Sequence, residues 1–145
     1  MTWKWASLAG FLSASLCLVW LCFDGAILGN EPVTIGIQVA AVALMIWARV
    51  TFGKRSFHAT ANPTEGGLVT NGPYRYLRHP IYAAALYILW AGIAVHLSVA
   101  HAIVALVATA GLALRMLAEE TLIVGQYPEY AAYARRTRRV VPFLF

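Results

Sequence analysis

The chain has 145 residues, 61% of them apolar and 12% charged, with a mean hydropathy of +0.68. Water-soluble domains carry about 25% charged and 45–50% apolar residues, so an ordinary soluble globule is excluded and one membrane domain over residues 1–145 is expected. The net charge of +5 comes from basic residues that flank apolar runs without forming a broad basic face. They are assigned to lipid headgroups, and no nucleic-acid partner is expected.

The first apolar run, Trp5 to Phe23, contains no charged residue and as a helix reaches about 28 Å, close to the thickness of a bilayer core. Lys4 ahead of it also fits a signal peptide, but no small-x-small cleavage pattern follows and the run is long for that role. Cys17 and Cys22 lie inside it, which suits packing or lipid-facing residues and neither a disulfide framework nor a metal site.

The second run, 33–50, is preceded by Asn30, Glu31 and Pro32, an N-cap candidate, a first-turn acid and a proline for the first helical position. The loop 51–79 follows and is long for so small a membrane protein, which marks it as functional or disordered. From Gly66 it reads GGLVTNGPYRYLRHPIY. This mixes a turn at Asn71, Gly72 and Pro73 with Leu68, Val69, Tyr74, Tyr76 and Tyr82, an arrangement able to form a pocket with stacking walls and charged tips.

His79 and Pro80 open the third run, 80–97, with Pro80 at the first helical position, His79 at the N-cap and Tyr82 one turn on. The free N–H groups at such a helix start suit a carboxylate. The competing reading is that His79 only caps the helix while Arg78 binds lipid phosphate. A short connection leads to the fourth run, 102–120, and demands an antiparallel hairpin. Gly92 and Gly111 are expected to let these two helices approach closely.

The fourth run ends with Arg115, Glu119 and Glu120. Arg115 and Glu119 stand four apart in the less favourable order, and two acids at a helix C-terminus oppose its dipole, so helix stability did not select them. Acids at a membrane-adjacent position point to a site; the alternative is an interfacial ion pair with snorkelling side chains. The hairpin brings this end to the same membrane face as His79 and Tyr82.

Gly125 is expected to break the fourth helix, and a short interfacial helix over 127–139 follows, with Arg135, Arg136, Arg138 and Arg139 on lipid phosphates and an end before Pro142. Lys4, then Lys54, Arg55, Arg75 and Arg78, then the tail arginines alternate with loops poor in Lys and Arg. That pattern fits four spans with both termini cytoplasmic. Trp3, Trp5 and Trp47 would lie at the inner interface and Trp20 at the outer. The expected fold is an all-α integral membrane protein with four transmembrane helices, a C-terminal helical hairpin, a cytoplasmic loop and a short interfacial C-terminal helix.

GPYRYLRHPIY at Gly72–Tyr82, a helical hairpin, RMLAEE at Arg115–Glu120 and the tail YPEYAAY with VVP together resemble the isoprenylcysteine carboxyl methyltransferase and phospholipid N-methyltransferase superfamily of integral membrane enzymes, over roughly Leu68 to Pro142. The resemblance implies methyl transfer from S-adenosylmethionine to a lipophilic small-molecule or lipid acceptor, with a carboxylate or an amine headgroup. It places the cofactor around Leu68, Val69, Tyr74, His79, Pro80, Ile81, Tyr82 and Glu119; on chemical grounds Arg78 and His79 suit its carboxylate and Glu119, with Glu120 beside it, its ammonium. Arg115 and Glu119 fall at the reaction centre, and no metal is implied. A one-residue shift and Pro128 in place of a glycine depart from the family pattern, which leaves the roles of Tyr130 and Tyr133 open. Two other readings stand beside it: an NADPH-dependent membrane reductase related to sterol reductases, and a non-enzymatic adaptor whose arginine tail binds anionic lipid. The acceptor and the oligomeric state are not legible in the sequence, and a bacterial inner membrane is the expected location.

Overall fold

A computed structural model describes residues 2–53 and 67–141. Lys54, Arg55, Gly66 and Pro142, used in the sequence reading, lie outside the described residues, as does the stretch 54–66 of the 51–79 loop. The elements are α1 (Thr2–Phe23), α2 (Pro32–Phe52), a 3₁₀ turn (Gly72–Arg75), α3 (Pro80–Val95), α4 (Val99–Gln126) and α5 (Tyr130–Arg136). The described residues are all-helical, apart from one isolated parallel bridge between Leu77 and Arg138.

Three of these helices, α1, α2 and α4, are long and apolar enough to cross a membrane, and the chain is an integral membrane protein. Trp5, Leu16, Val19, Val39 and Ile46 on α1 and α2 are exposed, a surface suited to lipid and costly in water. α3 is equally apolar but has 16 residues, about 24 Å at a helical rise. The expectation of four spans therefore meets three helices of full length and a shorter fourth.

The helix boundaries follow local chemistry. Pro32 and Pro80 occupy the first turns of α2 and α3, with Glu31 and not Asn30 at the α2 N-cap. α4 begins earlier than expected because the Ser98 hydroxyl accepts the His101 backbone N–H at 3.1 Å, satisfying a donor that a helix start leaves open. α4 also runs through Gly125, contrary to the expected break. A single helical glycine costs only about 1 kcal/mol. The stop comes at Tyr127, held extended as the residue before Pro128 prefers.

The packing partners differ from the expected hairpin. α1 lies mainly on α4 and α2 on α3, while α3 and α4 touch far less. Gly111 faces α1: a Cβ there would meet Ser13 and the Gly10 carbonyl, and a Cβ on Gly10 would meet the Gly111 carbonyl. Gly92 faces the carbonyls of Ala26 and Ile27 in the first loop. Both glycines serve close approach, but to partners other than each other. Leu21, Leu89 and Ile93 are fully buried between the helices.

At one end of the bundle His101 meets Asp24 at 2.6 Å and His96 meets the Leu28 carbonyl at 2.9 Å. Buried Gln38 donates to the carbonyls of Ile27 (2.7 Å) and Ile88 (3.2 Å) and accepts from Gly29. These contacts satisfy the polar backbone of the first loop, as an apolar interior requires. α1 and α4 are thus antiparallel, and the starts of α1 and α3 share the opposite end with the end of α4.

The tail is shorter in helix and longer in extended chain than the expected 127–139 helix. α5 covers Tyr130–Arg136, and from Thr137 the backbone is extended. Its N–H and carbonyl groups pair with the segment before α3: Arg78 N–H to the Arg138 carbonyl (2.6 Å), His79 N–H to the Arg139 carbonyl (3.1 Å) and Arg138 N–H to the Tyr76 carbonyl (3.1 Å). Tyr87 donates to the Val140 carbonyl.

Candidate functional site at the mouth of α3 and α4

His79 is held by the N-cap geometry of α3 and by the backbone pairing with Arg139. Its ring, with the side chain only 6% exposed, stands between two neighbouring carboxylates: Nδ1 is 3.7 Å from Glu119 Oε2 and Nε2 is 3.2 Å from Glu120 Oε1. Successive helical residues point in different directions, so Glu119 and Glu120 on α4 reach opposite sides of one imidazole. Each carries its own set of partners.

On the Glu119 side, the Tyr82 hydroxyl donates to Glu119 Oε1 at 2.6 Å and accepts from Arg115 Nε at 2.5 Å. Arg115 Nε also lies 3.0 Å from Glu119 Oε1. The Arg115 guanidinium is buried, with the Phe11 ring of α1 4.7 Å from it and the Tyr82 ring 5.8 Å away. His79 and Tyr82 stack at 5.7 Å. The i,i+4 pair expected from sequence thus forms, and it meets the start of α3.

On the Glu120 side, Arg139 donates from Nε to both carboxylate oxygens (3.2 Å each) and from Nη2 at 2.9 Å. Arg78 Nε lies 3.6 Å from Glu120. Arg139, expected on lipid phosphate, is therefore drawn inward by a carboxylate that burial would otherwise penalise. The bond to Glu120 pushes its own pKa up. Arg135, Arg136 and Arg138 remain exposed, as an interfacial tail would have them.

Beside this second cluster is an open groove of about 440 Å³ with a polar floor of Arg78, Glu120, Tyr130 and Arg139 and apolar walls that include Leu117, Val124 and Ala134. The buried Tyr130 hydroxyl finds no hydrogen-bond partner. Burial, first, pushes the phenols of Tyr74, Tyr130 and Tyr133 well above their ordinary range, so all three stay neutral.

The remaining candidates divide between wall and scaffold. Tyr74 is buried against Phe52 at 5.4 Å, and its carbonyl accepts from the Tyr133 hydroxyl at 2.7 Å. This fixes Tyr133 as the link between α5 and the 3₁₀ turn. Pro80 is fully buried and Ile81 half-buried. Leu68 and Val69 are half-buried in an irregular segment and, being apolar, take no part in the polar network. Cys17 and Cys22 are free thiols on α1, outside this network. Sequence reasoning missed Phe11, the inward turn of Arg139, and the buried polar Thr137, whose hydroxyl bonds the Tyr133 carbonyl at 2.9 Å. Among the described residues no group of three His, Cys, Asp or Glu side chains could hold a metal ion.

The Cobalt-zinc-cadmium resistance protein CzcN of Cupriavidus metallidurans is 29% identical over 143 residues, covering 97% of this chain and 62% of that protein, so the chain spans less than two thirds of its relative. No solved structure gives a significant match. The model of the isoprenylcysteine carboxyl methyltransferase family matches residues 34–124, a stretch that runs from α2 almost to the end of α4 and contains His79, Tyr82, Arg115, Glu119 and Glu120. The chain belongs to the isoprenylcysteine carboxyl methyltransferase family.

Proposed function

We propose that the protein transfers a methyl group from S-adenosylmethionine to a lipophilic acceptor at the membrane face where α3 begins and α4 ends. The observation that carries this reading is the junction of two distant segments, His79–Tyr82 and Arg115–Glu120, in one buried network around the His79 ring. Stability alone does not call for such a cluster in so apolar a chain. The alternation of basic loops supports both termini and this site on the cytoplasmic side, in a bacterial inner membrane.

The residues fit the cofactor. A groove of about 440 Å³ lies within the range of small-molecule sites. It is lined by both signs of charge, as a zwitterionic methionine end needs, and holds a buried phenol with no partner. When bound, S-adenosylmethionine supplies the methyl group on a sulfonium. Arg78, His79 and the first N–H groups of α3 hold the carboxylate. Glu119 and Glu120 face the ammonium. Tyr74, Tyr82, Leu68, Val69, Pro80 and Ile81 form the adenosyl side. Arg115, anchored by Glu119 and Tyr82, orients the acceptor's carboxylate or headgroup. Displacement at a methyl carbon asks the protein chiefly for alignment and a dry site; the polar network around His79 supports the first, and Leu117 and Val124 beside the groove favour the second.

Calorimetry with S-adenosylhomocysteine tests the reading. Wild-type protein binds, and His79→Ala and Glu119→Ala each weaken binding severely. Full binding by both variants, or binding of NADPH in place of S-adenosylhomocysteine, overturns it.

A further inference from the structure

Arg115 is a guanidinium buried within a helix long enough to cross a membrane, a placement that is costly unless every part of the group is answered. Its Nε edge is answered by Tyr82 and Glu119. Its faces are answered by aromatic rings: Tyr82 at 5.8 Å and, closer, Phe11 at 4.7 Å. An aromatic face is the apolar surface that best tolerates a cation, because its quadrupole is negative there.

Phe11 is brought to this position by backbone geometry. Its neighbour Gly10 sits so close to α4 that a Cβ would strike the Gly111 carbonyl, with the Arg115 backbone nitrogen in ordinary contact at 3.4 Å. The α1–α4 crossing therefore fixes Phe11 over the Arg115 side chain. Residue 11 lies before the stretch matched by the family model, which begins at residue 34, so the first helix adds to the site something the matched stretch does not contain.

We infer that Phe11 is a positioning residue for Arg115: its ring holds the guanidinium in the plane that Tyr82 and Glu119 define, and thereby aims it at the acceptor. The functional half of this inference rests on the proposed role of Arg115 in methyl transfer.

The test uses the full chain and three substitutions. Phe11→Leu keeps an apolar side chain and removes the ring, Phe11→Tyr keeps the ring, and Arg115→Lys identifies the Arg115 Nε–H resonance by its loss. Three quantities are read. They are the ¹⁵N–¹H heteronuclear NOE of that Nε–H in detergent micelles, which reports how firmly the group is held whatever the ring current, the affinity for S-adenosylhomocysteine, and tritium transfer from S-adenosyl-[methyl-³H]methionine into the organic extract of bacterial inner-membrane vesicles carrying the protein. Phe11→Leu is expected to lower the NOE and to lower transfer roughly tenfold, as misalignment of a site group does, while S-adenosylhomocysteine affinity stays within about twofold. Phe11→Tyr is expected to restore both. An unchanged NOE in Phe11→Leu overturns the inference, as does a loss of S-adenosylhomocysteine binding as large as the loss of transfer. If the wild-type chain neither binds S-adenosylhomocysteine nor transfers methyl groups, the reading of the site falls, and the NOE alone decides whether Phe11 positions Arg115.

Discussion

Arg139 grips both carboxylate oxygens of Glu120, three residues after α5 has ended and nineteen positions away in the chain. The fork of a guanidinium matches a carboxylate in a way an ammonium does not. Arg139→Ala is expected to destabilise the protein by about 2 kcal/mol, leaving a partly buried carboxylate short of its strongest partner. Arg139→Lys is expected to recover less than half of the loss. Thermal unfolding in detergent measures both, and a lysine variant as stable as wild type would show that charge alone matters here.

Tyr82 is the only hydroxyl that bonds both Glu119 and Arg115 among the described residues. Tyr82→Phe keeps the ring over the guanidinium and removes the link. Loss of one buried hydrogen-bonded partner costs about 1–3 kcal/mol of stability, so the melting temperature should fall by several degrees, and methyl transfer should fall by roughly tenfold or more as Arg115 loses its orienting bond. A radiolabelled transfer assay beside a melting curve separates the two effects.

Gly10 and Gly111 leave no room for a Cβ at their crossing. Gly10→Ala is expected to lower stability by about 1–3 kcal/mol as α1 is pushed off α4. It should also lower methyl transfer, because Phe11 moves with it. Cysteine cross-linking between α1 and α4, compared before and after the substitution, reads the displacement directly.

Tyr74 and Tyr133 bear phenols whose pKa values are raised chiefly by burial. The neutral form is thus favoured in the folded state. Their contribution to stability is complete below the ordinary phenol value of about 10 and is lost as pH climbs from there toward the higher folded values. Stability should be flat with respect to these groups up to about pH 10 and fall above it. Melting curves against pH, read with tyrosinate absorbance, check this. Early ionisation below pH 10 would show that the phenols are not shielded.

Local signals made much of this site legible. A His-Pro pair encodes its own helix start, Arg115 and Glu119 stand at helical spacing, and alternating antiparallel helices force both to one end. Partner choice was not legible in the same way. Gly92 and Gly111 advertise close approach without naming the surface approached, and Gly111 chose Gly10. The signal was present in α1, where Gly10 and Ala14 repeat the small-residue spacing that favours tight helix contact. The tail was missed for a different reason. Helical periodicity over 127–139 is dominated by tyrosines and arginines that suit an interface, but the unmet N–H groups of Arg78 and His79 offered the chain after Thr137 a better partner than a further helical turn.

The pairing of α1 with α4 and of α2 with α3 is nested, like brackets within brackets. The inner pair can close as soon as α3 is made, and the outer pair waits for α4. Because Arg115, Glu119 and Glu120 come only with α4, a chain folded as far as the inner pair holds His79 and Tyr82 with no carboxylates to meet them. The inner pair alone therefore holds only the histidine and tyrosine half of the polar network, and the carboxylate half comes with the outer pair.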